Sequence, residues 1–286
     1  MPSLPPPWTE ARLLQDRRGV ETWEALRANR RCLVKAHRNP ETVFQREFEF
    51  LSGIEHPGLP RPLHYERAAG LELYAREFLE AEPLESFFGK LPASRIAQIL
   101  AQSLRALAAL HFRGFAHGDL SGGNILLHPE RGAVLIDFEF LALRHKSGSG
   151  IRGTPRCMAP ELFWGRAPTI QTDLYAVGCI LYGLLSGHYP FLAGDFEALL
   201  QQHALETPPN PCMGRPELPG ALGLIALRLL AKEPAQRFAD ANEAVTALNR
   251  ALGLREALEP APSVLAPQER LRAERAYSHE LEALRF

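Results

Sequence analysis

Cysteine is scarce in this chain. Its 286 residues hold four, Cys32, Cys157, Cys179 and Cys212, far apart and without a C-x-x-C pair. That argues against a zinc site or a disulfide framework and fits a reducing cytosol. Charge of one sign is missing too. Against 32 Lys and Arg stand 33 Asp and Glu, with no long basic run, so nucleic acid is not an expected partner. Long apolar runs are also absent. Leu174 to Gly194 carries no formally charged residue, but Gly178, Gly183, Gly187, His188 and Pro190 interrupt it. It reads as a buried helix plus loop, not a membrane span. The Pro-rich start, Met1 to Pro7, lacks the apolar core of a signal peptide. A cytoplasmic, soluble protein is expected, and no internal repeat is visible.

What is present centres on residues 117–137, His117-Gly118-Asp119-Leu120-Ser121-Gly122-Gly123-Asn124 and then Leu135-Ile136-Asp137-Phe138. Two short apolar runs, Ile125–Leu127 and Val134–Ile136, flank a turn from Pro129 to Gly132. As a hairpin they bring the Asp137 carboxylate back beside Asn124 and Asp119. Two carboxylates and a carboxamide are hard oxygen donors of the kind Mg²⁺ prefers. A polar loop between two buried strands uses the same residue types, since Asp and Asn are ordinary turn formers.

The pattern resembles the catalytic and metal loops of the protein kinase superfamily, H-R-D-L-x-x-x-N and D-F-G. A second stretch, Gly153-Thr154-Pro155-Arg156-Cys157-Met158-Ala159-Pro160-Glu161, resembles the G-T-x-x-Y-M-A-P-E of serine/threonine protein kinases, and Glu233 to Phe238 resembles D-P-x-x-R-F. The resemblance, closest to bacterial eukaryotic-like kinases, implies an α+β, bilobed protein-kinase-like fold. Residues 1–10 are an extended lead-in and 11–79 a small antiparallel β-sheet lobe with one main helix. An α-rich lobe follows over 80–255, then a linker and C-terminal helix over 256–286. Helices are expected over 41–52, opened by Pro40, over Pro92–Phe112, 171–187, 195–204, 220–231 and 240–251. Residues 141–152, polar and Gly/Ser-rich, match an activation segment.

By the same resemblance, Lys35 holds the nucleotide's phosphates and pairs with Glu47, while Glu49 faces solvent. A surface lysine at a strand end is the other reading of Lys35. Gly19 lies in the phosphate-covering turn, and Glu77 and Leu79 belong to the segment that hydrogen-bonds adenine through its backbone. Asp119 orients the hydroxyl that attacks, Thr154 helps hold Asp119, and Asn124 and Asp137 are the Mg²⁺ ligands. ATP and Mg²⁺ are the implied cofactors, and a protein Ser or Thr is the implied acceptor. Glu161 is expected to pair with Arg237, and Asp173 to cap its helix and brace the catalytic loop.

Several residues depart from the family pattern. Gln15 to Val20 has one glycine, where glycines would let backbone N–H groups approach phosphate. Arg76 stands at the usual apolar gatekeeper position and must either snorkel out or face an unusual pocket. Gly118 replaces an arginine, so activity should not require phosphorylation of the activation segment. Ser121 replaces a lysine, and Glu139 a glycine. These departures keep two alternatives open: a pseudokinase scaffold, and a phosphotransferase acting on a small-molecule hydroxyl. The charged, Ala/Leu-rich stretch 268–285 reads as a helix that docks on the large lobe, pairs with a second chain, or is a solvated tail.

Overall fold

The computed structural model describes residues 4–17, 19–38, 43–68, 70–143 and 154–253. The chain divides into two compact units, Met1–Glu80 and Ala81–Phe286. The anticipated α+β composition is present: an antiparallel sheet with one helix in the first unit, and mostly helices in the second.

In the first unit, β1 (Thr9–Arg17), β2 (Val20–Arg27), β3 (Arg30–Arg38), β4 (Pro62–Ala68) and β5 (Leu71–Glu77) form one sheet in the order β1-β2-β3-β5-β4. Every neighbouring pair is antiparallel. Side chains alternate between faces along each strand. Trp23, Ala25, Cys32, Val34, Ala36, Leu73 and Ala75 share one face, and Leu4 and Trp8 complete that core. The expected lead-in is therefore partly core, because Trp8 covers apolar sheet surface that water would otherwise meet. The other face takes the helix α1 (Val43–Ser52), with Phe44 6.3 Å from the Tyr74 ring and Phe48 5.7 Å from Tyr65. Pro40 lies outside the described residues. No acid stands in the first turn of α1; instead Glu72, fully buried on β5, accepts from Gln45 N–H at 3.3 Å and from Tyr65 Oη at 3.0 Å. A carboxylate at a helix N-terminus is favourable wherever it comes from in the chain. Glu49, expected in solvent, is half-buried and accepts from Gln45 Nε2 at 2.7 Å.

The second unit is built on α4 (Ile170–Ser186), which is buried on nearly every side, as its apolar sequence requires. Around it lie α2 (Ala93–Phe112), α3 (Pro160–Phe163), α5 (Phe196–Leu205), α6 (Gly220–Leu229) and α7 (Ala241–Ala251). Gly183 is needed for close approach, since a Cβ there would lie 2.2 Å from the Phe88 ring. The cap of α4 differs from expectation. Thr169 accepts from Gln171 N–H at 3.2 Å and donates its own N–H to Thr172 Oγ1 at 3.0 Å, which frees Asp173 for other partners. Residues 144–153 and the anticipated C-terminal helix lie outside the described residues, and no described helix is long and apolar enough to cross a membrane.

His203, fully buried on α5, meets Tyr175 Oη through Nδ1 at 2.8 Å and packs 4.8 Å from the Phe191 ring. Burial holds its pKa down at about 3, and the nearby Lys232 cation adds to the effect. The unfolded chain, with an ordinary histidine near 6.5, therefore binds the proton first as pH falls. Stability present above pH 6.5 should be lost progressively toward pH 3, on the order of 5 kcal/mol in full. Thermal melts of His203→Gln should show a flatter decline of Tm on acidification than the parent. Equal slopes would locate the acid sensitivity elsewhere.

Candidate active site

The second unit opens with the short strand β6 (Glu82–Pro83); its helix α2 ends at Gly114, whose φ of +82° turns the chain into β7 (Phe115–Ala116). The loop from His117 to Asn124 follows, then β8 (Ile125–His128) and β9 (Gly132–Leu135), paired antiparallel with Ile125 opposite Leu135. Ile136 N–H donates to the Asn124 carbonyl at 2.9 Å, so the hairpin returns Asp137 to the loop as its apolar runs imply. β10 (Ala142–Leu143) pairs with β7 at the start of what reads as a purely polar stretch.

The loop is fixed by Asp173. Its Oδ2 accepts from His117 N–H at 2.9 Å and from His111 Nε2 at 2.8 Å, and its Oδ1 accepts from Gly118 N–H at 3.0 Å. Burial alone would raise this carboxyl's pKa, but the hydrogen bond and charge of His111, the charge of His117 and the Gly118 N–H together hold it below the usual range. His117 adds a second tie through Nε2, 3.1 Å from the Ile136 carbonyl. Gly118 has a φ of +79°, and a Cβ there would lie 2.8 Å from the Phe140 carbonyl oxygen. The glycine at the position of the family's arginine thus has a backbone reason.

Asp119 Oδ1 accepts from Thr154 N–H at 2.6 Å. Burial pushes the Asp119 carboxyl above the usual carboxylate range; the Thr154 donors oppose the rise and the Asp137 charge adds to it. Asn124 Nδ2 donates to the Asp119 carbonyl at 2.8 Å, which assigns the other amide atom as an oxygen acceptor. Asp137 has a φ of +68°, a left-handed backbone that costs a non-glycine residue roughly 1–2 kcal/mol. These oxygens suit Mg²⁺, which takes one or two protein carboxylates and completes its shell with water and phosphate. Among the described residues no cluster of three or more His, Cys, Asp or Glu could hold a metal by protein ligands alone.

Thr154 is positioned from the other side. A 3₁₀ turn over Pro155–Cys157 leads into α3, whose Glu161 forms a two-pronged ion pair with Arg237, at 2.7 and 2.8 Å. Arg237 also donates to the carbonyls of Gln171, Ala231 and Lys232 at 2.7, 2.9 and 3.1 Å. A buried guanidinium in this fold is thus paired and saturated with acceptors.

The other residues read from the sequence lie in the first unit. Lys35 Nζ is 3.5 Å from Glu47 Oε2, with both residues buried, and the Tyr74 side chain lies close to Glu47. Gly19 has a φ of +81° in the tight turn between Arg17 and Val20. Glu77 N–H donates to the Arg61 carbonyl at 3.0 Å, and Leu79 is buried. Arg76 does not snorkel out. It is 4% exposed, and its Nη1 donates to the Glu77 carbonyl at 3.1 Å.

So the structure brings together Lys35 with Glu47, and Asp119 with Asn124, Asp137 and Thr154. The protein kinase domain profile matches residues 26–247. The chain belongs to the protein kinase family. This kinase domain is 34% identical over 206 residues to the DNA damage-responsive serine/threonine-protein kinase RqkA of Deinococcus radiodurans, covering 68% of this chain and 31% of that protein. To serine/threonine-protein kinase Pkn1 of Myxococcus xanthus it is 40% identical over 173 residues, 57% of this chain and 25% of the relative. To PknH of Mycobacterium tuberculosis it is 30% identical over 233 residues, 77% of this chain and 37% of the relative. The chain thus matches between about a quarter and two fifths of the length of these three relatives.

His111, Glu72 and Tyr189 carry weight that periodicity does not signal. A histidine on the apolar face of α2 is the available hint for His111. The Glu161–Arg237 pair generates a stability prediction. Arg237→Met leaves a buried carboxylate unpaired and should cost about 3–5 kcal/mol in urea unfolding. Replacing both partners by Met should cost less than that single change. A double variant less stable than Arg237→Met would refute the assignment.

Proposed function

We propose that this kinase domain transfers the γ-phosphate of ATP to Ser or Thr hydroxyls of a protein, with Mg²⁺ as the required ion. The observation that carries the proposal is the Asp119 carboxylate, held by Thr154 N–H at 2.6 Å on a loop whose backbone is tied to Asp173. A carboxylate so fixed orients an incoming hydroxyl and accepts its proton. The rise in its pKa brings it closer to the basicity that such work needs.

ATP with Mg²⁺ supplies the phosphoryl group and neutralises its charge; Asn124 and Asp137 are the residues that would hold the metal. Lys35, steadied by Glu47, places a cation for phosphate oxygens. Gly19 lets backbone come close to them; the Leu79 N–H and the second lone pair of the Glu77 carbonyl, which Arg76 shares, are the hydrogen-bonding groups for the base. The protein's contribution is therefore positioning and charge stabilisation.

Phosphate transfer from radiolabelled ATP to a generic protein acceptor tests this. Asp119→Asn should lower the rate by roughly 10²–10⁴-fold while leaving nucleotide-induced thermal stabilisation in place. Equal transfer by parent and variant would refute the role of Asp119.

Gly118 cannot bind a phosphorylated activation segment as an arginine would. Phosphatase-treated protein and the Ser147→Ala/Ser149→Ala variant should keep the parental rate. Loss of rate restored by rephosphorylation would show that another cation receives such a phosphate.

A further inference from the structure

A groove of about 430 Å³ adjoins the Asp119 loop in the second unit, lined in part by Thr154, Pro155, Glu85, Tyr189, Phe196 and Leu199. Thr154 is the residue that holds the Asp119 carboxylate. Glu85 lies against the same loop: a Cβ on Gly122 would sit 3.0 Å from Glu85 Cβ, and one on Gly123 3.7 Å from Glu85 Oε1. The groove is therefore continuous with the loop that would meet the acceptor hydroxyl.

The Glu85 carboxylate has a fixed place. Tyr189 Oη donates to its Oε2 at 3.2 Å and accepts from Gly122 N–H at 3.3 Å. One such bond uses a fraction of a carboxylate's accepting capacity, and Glu85 is exposed to the groove. The second acid on the groove wall, Asp195, is committed to capping α5, where it accepts from Ala198 N–H at 2.8 Å. Among the described residues the lining holds one cation, Arg156, whose guanidinium lies 5.9 Å from the Tyr189 ring centre. The loop from Asp119 to Asn124 has none. Carboxylates thus outnumber cations, and Phe196, 46% exposed, adds an aromatic surface on which the aliphatic stem of a long basic side chain can lie.

Resting on the phosphoryl-transfer reading above, we infer that Glu85 is a specificity-determining residue: it selects polypeptide acceptors with an Arg or Lys within a few residues of the Ser or Thr. The cation meets Glu85, while its stem covers Phe196. The selection acts on binding of the acceptor.

The test uses the full chain with ATP and Mg²⁺. Peptides carry one central Ser in an Ala/Gly background, with a single Arg walked through the flanking positions. Transfer kinetics are read for the parent, Glu85→Gln and Glu85→Arg, and fluorescein-labelled copies report binding separately. Gln keeps an acceptor oxygen for Tyr189 and removes only the charge. One Arg position should lower KM roughly fivefold relative to Ala, the size of an exposed charge pair. Glu85→Gln should erase that gain, and Glu85→Arg should favour Glu at the same position. Arg preference at no position, or a preference surviving in both variants, overturns the inference. Transfer without charge preference sinks the selectivity alone. Glu85-dependent binding without any transfer upholds the selectivity and sinks the phosphoryl-transfer reading.

Discussion

The second unit depends on one buried carboxylate. Asp173 sits on a helix surrounded by protein, where an unpartnered negative charge would cost several kcal/mol. Two backbone N–H groups and an imidazole offset that cost, and all three come from the segment around Asp119 or the helix leading into it. The carboxylate and the loop therefore stabilise each other. Because α4 is packed on nearly all sides, it serves as a rigid post, and the loop inherits that rigidity.

A second constraint acts on the same carboxylate from a distance in sequence. Asp119 is tied through its own side chain to Thr154, and the segment after Thr154 is anchored by Glu161 to Arg237. Two braces, one through Asp173 and one through Arg237, thus converge on one side chain. Packing alone would specify neither brace. In the first unit the corresponding device is Glu72, which seats α1 on the sheet and so sets where Glu47 meets Lys35.

Much of this is legible in the sequence because the relevant signals are local. Helical periodicity marks α2, an uncharged apolar stretch marks α4, alternation and turns mark the strands, and the spacing from Asp119 to Asp137 foretells the hairpin. Long-range satisfaction of polar groups is less legible. Nothing around Glu72 distinguishes a helix-capping carboxylate from a surface one, and His111 bonds a residue 62 positions away. Trp8 reads as part of a proline-rich lead-in because the surface it covers belongs to other strands. The Thr169–Thr172 cap was displaced onto Asp173 by a local rule that ignores the loop competing for the same carboxylate. Gly118 looks like the loss of a charge, whereas its left-handed backbone and contact with Phe140 make a side chain unwelcome there.

The Glu161–Arg237 pair also orders events during synthesis. The partners are 76 residues apart, so at ordinary ribosomal speeds Glu161 is made roughly 4–15 s before its guanidinium exists. During that interval a carboxylate destined for the interior has no counter-charge and must stay hydrated. The nascent polypeptide consequently acquires its fully braced Thr154 segment only after Arg237 has emerged, which makes the arrival of that one residue a checkpoint on assembly of the site.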